Sequence, residues 1–115
     1  MMKLQPSLKP KKRYVLFQIT NKDNKKFWKR EVIDAIEQQL IKCFGVFMFA
    51  RASPMIVKES FDEASQKIII KVSHKFTEEL KVAMTLLTDI KETPVEVTSI
   101  STSGILKKLK SKIKN

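Results

Sequence analysis

The sequence of 115 residues has few of the residue types that build metal, disulfide and nucleotide-loop sites. It contains one cysteine, Cys43, and one histidine, His74. A single thiol excludes a disulfide framework, and a single imidazole beside it leaves zinc without its usual ligands. Gly45 and Gly104 are the only glycines, so there is no glycine-rich phosphate loop. We therefore predict no metal site and no cofactor in this protein.

Long apolar runs are also missing. No run approaches the roughly 20 residues that span a bilayer, and the lysine-rich start lacks the apolar region of a signal peptide. These absences predict a soluble, cytoplasmic protein without membrane contact. The length predicts one domain with a core of its own.

Acidic residues are absent from both ends of the chain, although the formal net charge is +11 from 23 basic and 12 acidic residues. Residues 1–13 contain five basic residues, and residues 101–115 contain five more. The 87 residues between them contain 13 basic and 12 acidic residues. Two acid-free ends indicate a polyanionic partner, and nucleic acid is favoured over membrane because neither end carries bulky aromatic anchors.

No group of residues indicates catalysis. His74 has neither a nucleophile nor an orienting group that the sequence identifies. Cys43 falls on the apolar stripe of a predicted helix, so we predict that it is a small buried core residue. The carboxylates occupy helix first turns, polar helix sides and turns, where they have structural explanations. We predict no catalytic residue in this chain.

Apolar periodicity predicts four strands and three helices. The predicted strands are residues 13–20, 54–61, 67–73 and 95–100, and residues 67–73 form the central strand because adjacent β-branched residues suit burial on both faces. The predicted helices are residues 27–44, which Gly45 ends, a helix after Ser73, and a basic C-terminal helix. The apolar stripe of the helix after Ser73 is Phe76, Leu80, Ala83, Leu87 and Ile90. In residues 46–53 Phe47 and Phe49 alternate with smaller residues, which favours an early start of the second strand.

The order strand, helix, strand, strand, helix, strand with right-handed crossovers predicts an α+β, ferredoxin-like (RRM-like) sandwich with strand order 4-1-3-2. Residues 1–12 are predicted to be a flexible basic arm, residues 13–100 the core, and residues 101–115 the basic C-terminal helix. Because the first and last strands are antiparallel neighbours in this order, the two basic ends are predicted to meet in one basic pole.

The sheet face away from the two core helices is predicted to be aliphatic. Only Tyr14 could stack on a base there, so the face lacks the aromatic platform of common RNA-recognition domains. A covering helix or a protein partner explains such a face better. The predicted protein interface consists of Tyr14, Leu16, Ile56 and Ile69.

RNA contact is therefore predicted at the basic pole. Thr102, Ser103 and Gly104 at a helix start can bind a phosphate through free amides, although ordinary helix capping is the alternative. The predicted RNA-binding residues are Lys9, Lys11, Lys12, Arg13, Thr102, Ser103, Gly104, Lys107, Lys108 and Lys110.

Four features of the chain carry a resemblance to a known family. They are Leu-Lys-Pro-Lys-Lys-Arg-Tyr at 8–14, Phe-Gly at 44–45, the strand, turn, strand, helix order over 54–90, and Thr-Ser-Gly-Ile-Leu-Lys-Lys at 102–108. In this order and spacing the chain resembles ribonuclease P protein component 2, the archaeal relative of a eukaryotic ribonuclease P and MRP subunit.

The resemblance implies a non-catalytic subunit of an endoribonuclease that removes the 5′ leader of precursor tRNA, with RNA as the catalyst. The implied partners are ribonuclease P RNA, precursor tRNA through the holoenzyme, the TIM-barrel-like component 3, and a second copy of the chain. Any Mg²⁺ would belong to the RNA. Two alternatives are a free-standing RNA- or ribosome-associated binding module and a small enzyme or ligand-binding regulator on the same fold.

Overall fold

The computed structural model describes residues 11–113. Its elements are β1 (Lys12–Thr20), α1 (Lys29–Ala52), β2 (Met55–Asp62), β3 (Lys67–Ser73), α2 (Thr77–Thr85), β4 (Asp89–Ile90), β5 (Thr93–Pro94), β6 (Glu96–Ser103) and α3 (Leu106–Ile113). A 3-10 turn, His74–Phe76, joins β3 to α2. Most of the predicted basic arm, including Lys9, lies outside the described residues.

The main sheet has four strands in the order β2-β3-β1-β6. β1 pairs antiparallel with both β3 and β6, with Val15 opposite Ile70 on one side and Thr102 on the other. The predicted neighbours of the first strand are therefore observed. A separate two-stranded hairpin, β4 with β5, lies between α2 and β6. Its turn residues, Lys91 and Glu92, have φ angles of 49° and 66°.

β3 is buried on both faces, as its sequence predicts. Ile68 and Ile70 pack into the larger core with α1 and α2, while Ile69 faces the opposite side of the sheet. All three side chains are 0% exposed. Burial of each of these side chains contributes about 1.5–3 kcal/mol relative to an exposed side chain. β3 therefore stabilises the apolar layers on both faces of the sheet.

α1 has a kink at Gly45, where φ is 71° and ψ is 177°. This backbone region is almost exclusive to glycine, so Gly45 ends the first helical segment as predicted. The chain then returns to helix over residues 46–52. The predicted early strand in residues 46–53 is therefore wrong. A short apolar run such as that around Phe47 cannot be assigned to strand or helix by periodicity alone.

The predicted burial of Cys43 is also wrong, because Cys43 is exposed. The apolar stripe of α1 continues from Leu40 to Phe44, four residues later and on the same face. Cys43 instead lines an open groove between α1 and α2, together with Val82 and Leu86.

α2 is shorter than its apolar stripe predicts. The helix ends at Thr85, yet Leu87 and Ile90 are still buried. Ile90 belongs to β4 and is buried in the larger core, so a strand and not a longer helix brings this side chain there. Leu80 and Ala83 occupy the predicted buried face.

α3 covers the sheet face opposite α1 and α2. Leu109 and Ile113 join Leu16, Val57 and Ile69 in a second buried cluster. Leu16, Ile69 and Leu109 are 0% exposed. The aliphatic face is therefore covered by a helix of the same chain, which was one of the two explanations for it.

The position of Ile56 differs from the prediction. Ile56 pairs with Ile70 and joins the larger core, whereas Val57 pairs with Ile69 and faces α3. The predicted register placed the wrong member of this pair on the face under α3, since a shift of one residue exchanges the two faces of a strand.

Candidate nucleic-acid interface

The sheet brings the beginning of β1 against the end of β6. Tyr14 pairs with Ser103 and Val15 pairs with Thr102. A Cβ atom built on Gly104 would lie 3.2 Å from Nη1 of Arg13. Two basic motifs that are about 90 residues apart in the sequence thus meet at one end of the sheet.

The other predicted basic residues of β1 lie at the same end. The amide of His74 donates a 2.8 Å hydrogen bond to the carbonyl of Lys11. Lys12 pairs with Ser73 at the end of β3. We use the name basic pole for Lys11, Lys12, Arg13, Gly104 and the first turn of α3.

Thr102 and Ser103 differ from the predicted helix cap, because both belong to β6 and α3 begins only at Leu106. Strand pairing with β1 extends three residues further than the predicted end of the last strand. The hydroxyl of Ser103 still accepts a 3.0 Å hydrogen bond from the amide of Ile105, which leads the chain into the helix. Phosphate binding at residues 102–104 stays a prediction.

α3 turns the C-terminal lysines into a ridge across the sheet. The helix is about 12 Å long, given a rise of roughly 1.5 Å per residue. The ammonium of Lys67 donates to the carbonyl of Lys112 at 3.4 Å, and the hydroxyl of Ser65 donates to the carbonyl of Ile113 at 3.3 Å. Both partners lie at the β2–β3 turn, at the far end of the sheet. The prediction of one compact basic pole is therefore incomplete, because α3 carries further lysines from the pole across the sheet.

Lys67 has a role in this arrangement that its sequence context did not indicate. It is 8% exposed and places a cation at the C-terminal end of α3, where the helix dipole favours positive charge. In the sequence, Lys67 marks only the start of an apolar strand, and its contact with the end of α3 follows from the path of that helix.

The predicted lysines on α3 do not have equal surroundings. Lys107 and Lys108 are exposed in the first turn, next to the pole. Lys110 lines a hollow with Glu59 and Asp62, whose charges reduce the local positive potential. Among residues 11–113, Lys107, Lys108 and Lys110 make no ion pair with a carboxylate. The strongest phosphate attraction is therefore expected near the pole.

His74 has no catalytic surroundings in the part of the chain that is described. Its Nδ1 lies 3.3 Å from the backbone carbonyl of Lys11, and no hydroxyl, thiol or carboxylate of these residues bonds to its imidazole. The hydroxyl of Thr77 donates to the backbone carbonyl of His74 at 3.0 Å. Within residues 11–113, no three His, Cys, Asp or Glu side chains are grouped so that they could hold a metal ion.

Helices long and apolar enough to cross a membrane are absent from residues 11–113.

Comparisons with known proteins identify the family. The sequence model of the Rpp14/Pop5 family matches residues 13–114, so the chain belongs to this family. The protein named ribonuclease P protein component 2 from Thermococcus kodakarensis is 38% identical over 109 residues, which cover 95% of this chain and 88% of that protein. The protein of the same name from Pyrococcus furiosus is 31% identical over the same coverage.

A solved structure has the same fold. A chain in the cryo-EM structure of yeast ribonuclease MRP superposes with a TM-score of 0.63 over 91% of this chain and 87% of that chain. The sequence identity is 13%, so this likeness concerns the fold alone.

Proposed function

We propose that this chain is a protein subunit of ribonuclease P that binds and orders the catalytic RNA for removal of the 5′ leader of precursor tRNA. The observation that carries the proposal is the match to ribonuclease P protein component 2 across 95% of the chain. The basic pole supplies the physical means, because it concentrates cations from both ends of the chain.

The fold assignment is part of the proposal. The order of β1, α1, β2, β3, α2 and β6 supports a ferredoxin-like sandwich to which α3 has been added. α3 occupies the sheet face on which related folds stack RNA bases, so phosphate contact is expected instead of base stacking.

The task of the basic pole is to lower the repulsion between RNA phosphates. Each lysine or arginine that contacts a phosphate releases condensed counterions, which favours a compact RNA at lower Mg²⁺. The RNA remains the catalyst, and this chain contributes no reacting group. Its contribution is to bind the catalytic RNA and to order its structure.

The proposed protein partners of the chain are the component 3 homologue and a second copy of the chain. Of the four residues predicted for a protein interface, Leu16 and Ile69 lie beneath α3 and Ile56 lies in the other core. Only Tyr14 is partly exposed. The exposed apolar side chains are found elsewhere, with Phe47 87% and Val46 84% exposed after the kink in α1.

RNA binding is tested by removing positive charges from the pole and from α3. Replacing Lys11, Lys12 and Arg13 with Ala, or Lys107, Lys108 and Lys110 with Ala, removes three charges in each case. Because each phosphate contact contributes about 0.7–0.9 units of salt slope, each triple variant should flatten the plot of log affinity against log salt by about two to three units. The readout is titration of a ribonuclease P RNA transcript at several KCl concentrations.

The matched control replaces Lys22, Lys29 and Arg30 with Ala, which removes the same charge at the opposite end of the sheet. These side chains are exposed, and their variant should retain the wild-type salt slope. Cleavage of precursor tRNA by the reconstituted enzyme then tests whether this RNA binding serves ribonuclease P. RNA binding without any effect on this cleavage would indicate the free-standing RNA-binding module instead.

A further inference from the structure

We propose that Arg51 and Lys75 belong to the RNA-binding surface and extend the basic pole toward the side of the sheet covered by α1 and α2. Neither residue lies in a basic end of the sequence, and neither is next to another lysine or arginine in the sequence. This inference rests on the proposed function, since it assigns further phosphate contacts to the same RNA.

Lys75 lies beside the start of β1. The hydrogen bond from the amide of His74 to the carbonyl of Lys11 fixes the 3-10 turn against the start of β1. Lys75 follows His74 directly, so its Cα atom lies about 3.8 Å further along the chain. The side chain of Lys75 is exposed and makes no hydrogen bond or ion pair with the described residues. It is therefore a free cation beside Lys11.

The guanidinium of Arg51 lies over the ring of Phe76. The Cζ atom of Arg51 lies 5.8 Å from the centre of the Phe76 ring. Phe76 packs on the larger core and is the residue after Lys75. An exposed contact of this kind is worth about 0.5–1 kcal/mol, which is enough to bias the guanidinium toward one position. Arg51 lies in the last turn of α1, in the helical segment that follows the kink at Gly45.

Arg13 faces the same side of the sheet as Arg51 and Lys75. In a strand, alternate residues share a face, so Arg13 points to the same side as Val15, which belongs to the core under α1 and α2. Arg13, Arg51 and Lys75 thus come from three segments and lie on the same side at the same end of the sheet.

The charge balance of this surface favours a polyanion. Among the described residues, none of Arg13, Arg51 and Lys75 has an ion pair with a carboxylate. The acidic residues in the first turn of α2 are Glu78, which lies 3.9 Å from Lys81, and Glu79, which lines the groove between α1 and α2. Three unpaired cations at one end repel one another, and RNA phosphates relieve that repulsion.

The test is the double variant Arg51→Ala, Lys75→Ala, titrated with a ribonuclease P RNA transcript at several KCl concentrations. Two lost phosphate contacts should flatten the salt slope by about 1.4–1.8 units. The matched control is Lys29→Ala, Arg30→Ala, which removes the same charge at the opposite end of the sheet and should leave the slope unchanged. A double variant with the wild-type slope would overturn the inference.

The outcomes separate this inference from the proposed function. If replacement of Lys11, Lys12 and Arg13 flattens the slope and the Arg51, Lys75 double variant does not, the inference fails and the proposed function stands. If neither variant changes RNA binding, the proposed RNA role of the pole fails as well.

A second variant covers the case in which loss of the Arg51 contact unfolds the end of α1. Lys75→Gln changes an exposed side chain that makes no hydrogen bond or ion pair with the described residues, so the variant should fold normally. It should flatten the slope by about 0.7–0.9 units, and an unchanged slope would remove Lys75 from the surface.

Discussion

The side-chain amide of Gln66 makes two hydrogen bonds to the backbone of Phe27. Oε1 accepts from the Phe27 amide at 3.0 Å, and Nε2 donates to the Phe27 carbonyl at 3.2 Å. Nε2 also donates to the carbonyl of Glu63 at 2.8 Å. Gln66 is 3% exposed and Phe27 is 0% exposed. One buried amide therefore joins the β2–β3 turn to the segment that leads into α1.

We expect Gln66→Ala to destabilise the protein. The substitution leaves the buried amide and carbonyl of Phe27 without partners, and an unsatisfied buried group costs about 1–3 kcal/mol. Urea denaturation should show this loss in the free energy of unfolding. Gln38→Ala is the matched control, because Gln38 is exposed on α1 and its loss should stay within about 0.5 kcal/mol. Equal stability of the two variants would contradict the role of Gln66.

The two glycines should respond differently to alanine. At Gly45 a Cβ meets nothing within 4 Å, but φ of 71° with ψ of 177° strains any other residue by about 1–3 kcal/mol. Gly45→Ala should lower the free energy of unfolding by that amount.

Gly104→Ala serves as its control. The φ angle of Gly104 is not in the left-handed region, and the added Cβ meets only the flexible end of Arg13. Its effect on unfolding should be within about 0.5 kcal/mol. If Gly45→Ala is as well tolerated in urea denaturation, the kink in α1 does not depend on glycine.

α3 should behave as part of the core. Leu109 is 0% exposed against Leu16 and Ile69, so Leu109→Ala should cost about 2–5 kcal/mol in a cooperative unfolding transition. Ile105→Ala removes a side chain that is 52% exposed and should have little effect. Thermal unfolding measured by circular dichroism compares the two. Similar melting temperatures for both variants would indicate that α3 is not held on the sheet.

The chain alone should not cleave RNA. Among the described residues, the imidazole of His74 has a hydrogen-bond contact only with the carbonyl of Lys11, which provides no acid-base pair. We expect no cleavage of precursor tRNA by the purified protein, and nearly unchanged cleavage by an enzyme reconstituted with His74→Ala. Cleavage by the isolated protein that this substitution abolishes would overturn a non-catalytic role.

Much of the fold follows from local patterns. The alternation in β1 correctly separates Val15 and Phe17 from Leu16, because side chains in a strand alternate between its two faces. The run of β-branched residues in β3 correctly predicts burial on both faces. Gly45 correctly marks the end of a helical segment, since few other residues tolerate its backbone angles.

Other features required the tertiary structure. Phe47 lies in a helix although its neighbours alternate like a strand, and Cys43 is exposed although the apolar periodicity of residues 27–44 predicted that it is buried. In both cases the local pattern is compatible with two structures, and packing against the rest of the chain selects one. The register that buries Val57 under α3 and Ile56 under α1 depends in the same way on the pairing with β3.

The candidate site likewise depends partly on local sequence and partly on tertiary structure. The sequence by itself determined that both ends of the chain are basic and that one sheet face, with Leu16 and Ile69, needs a cover. Only the tertiary structure decided that α3 is that cover, that Arg13 meets Gly104, and that Arg51 lies over Phe76. Charge is a property of each residue, whereas the distance between two charges depends on where strands pair and helices turn.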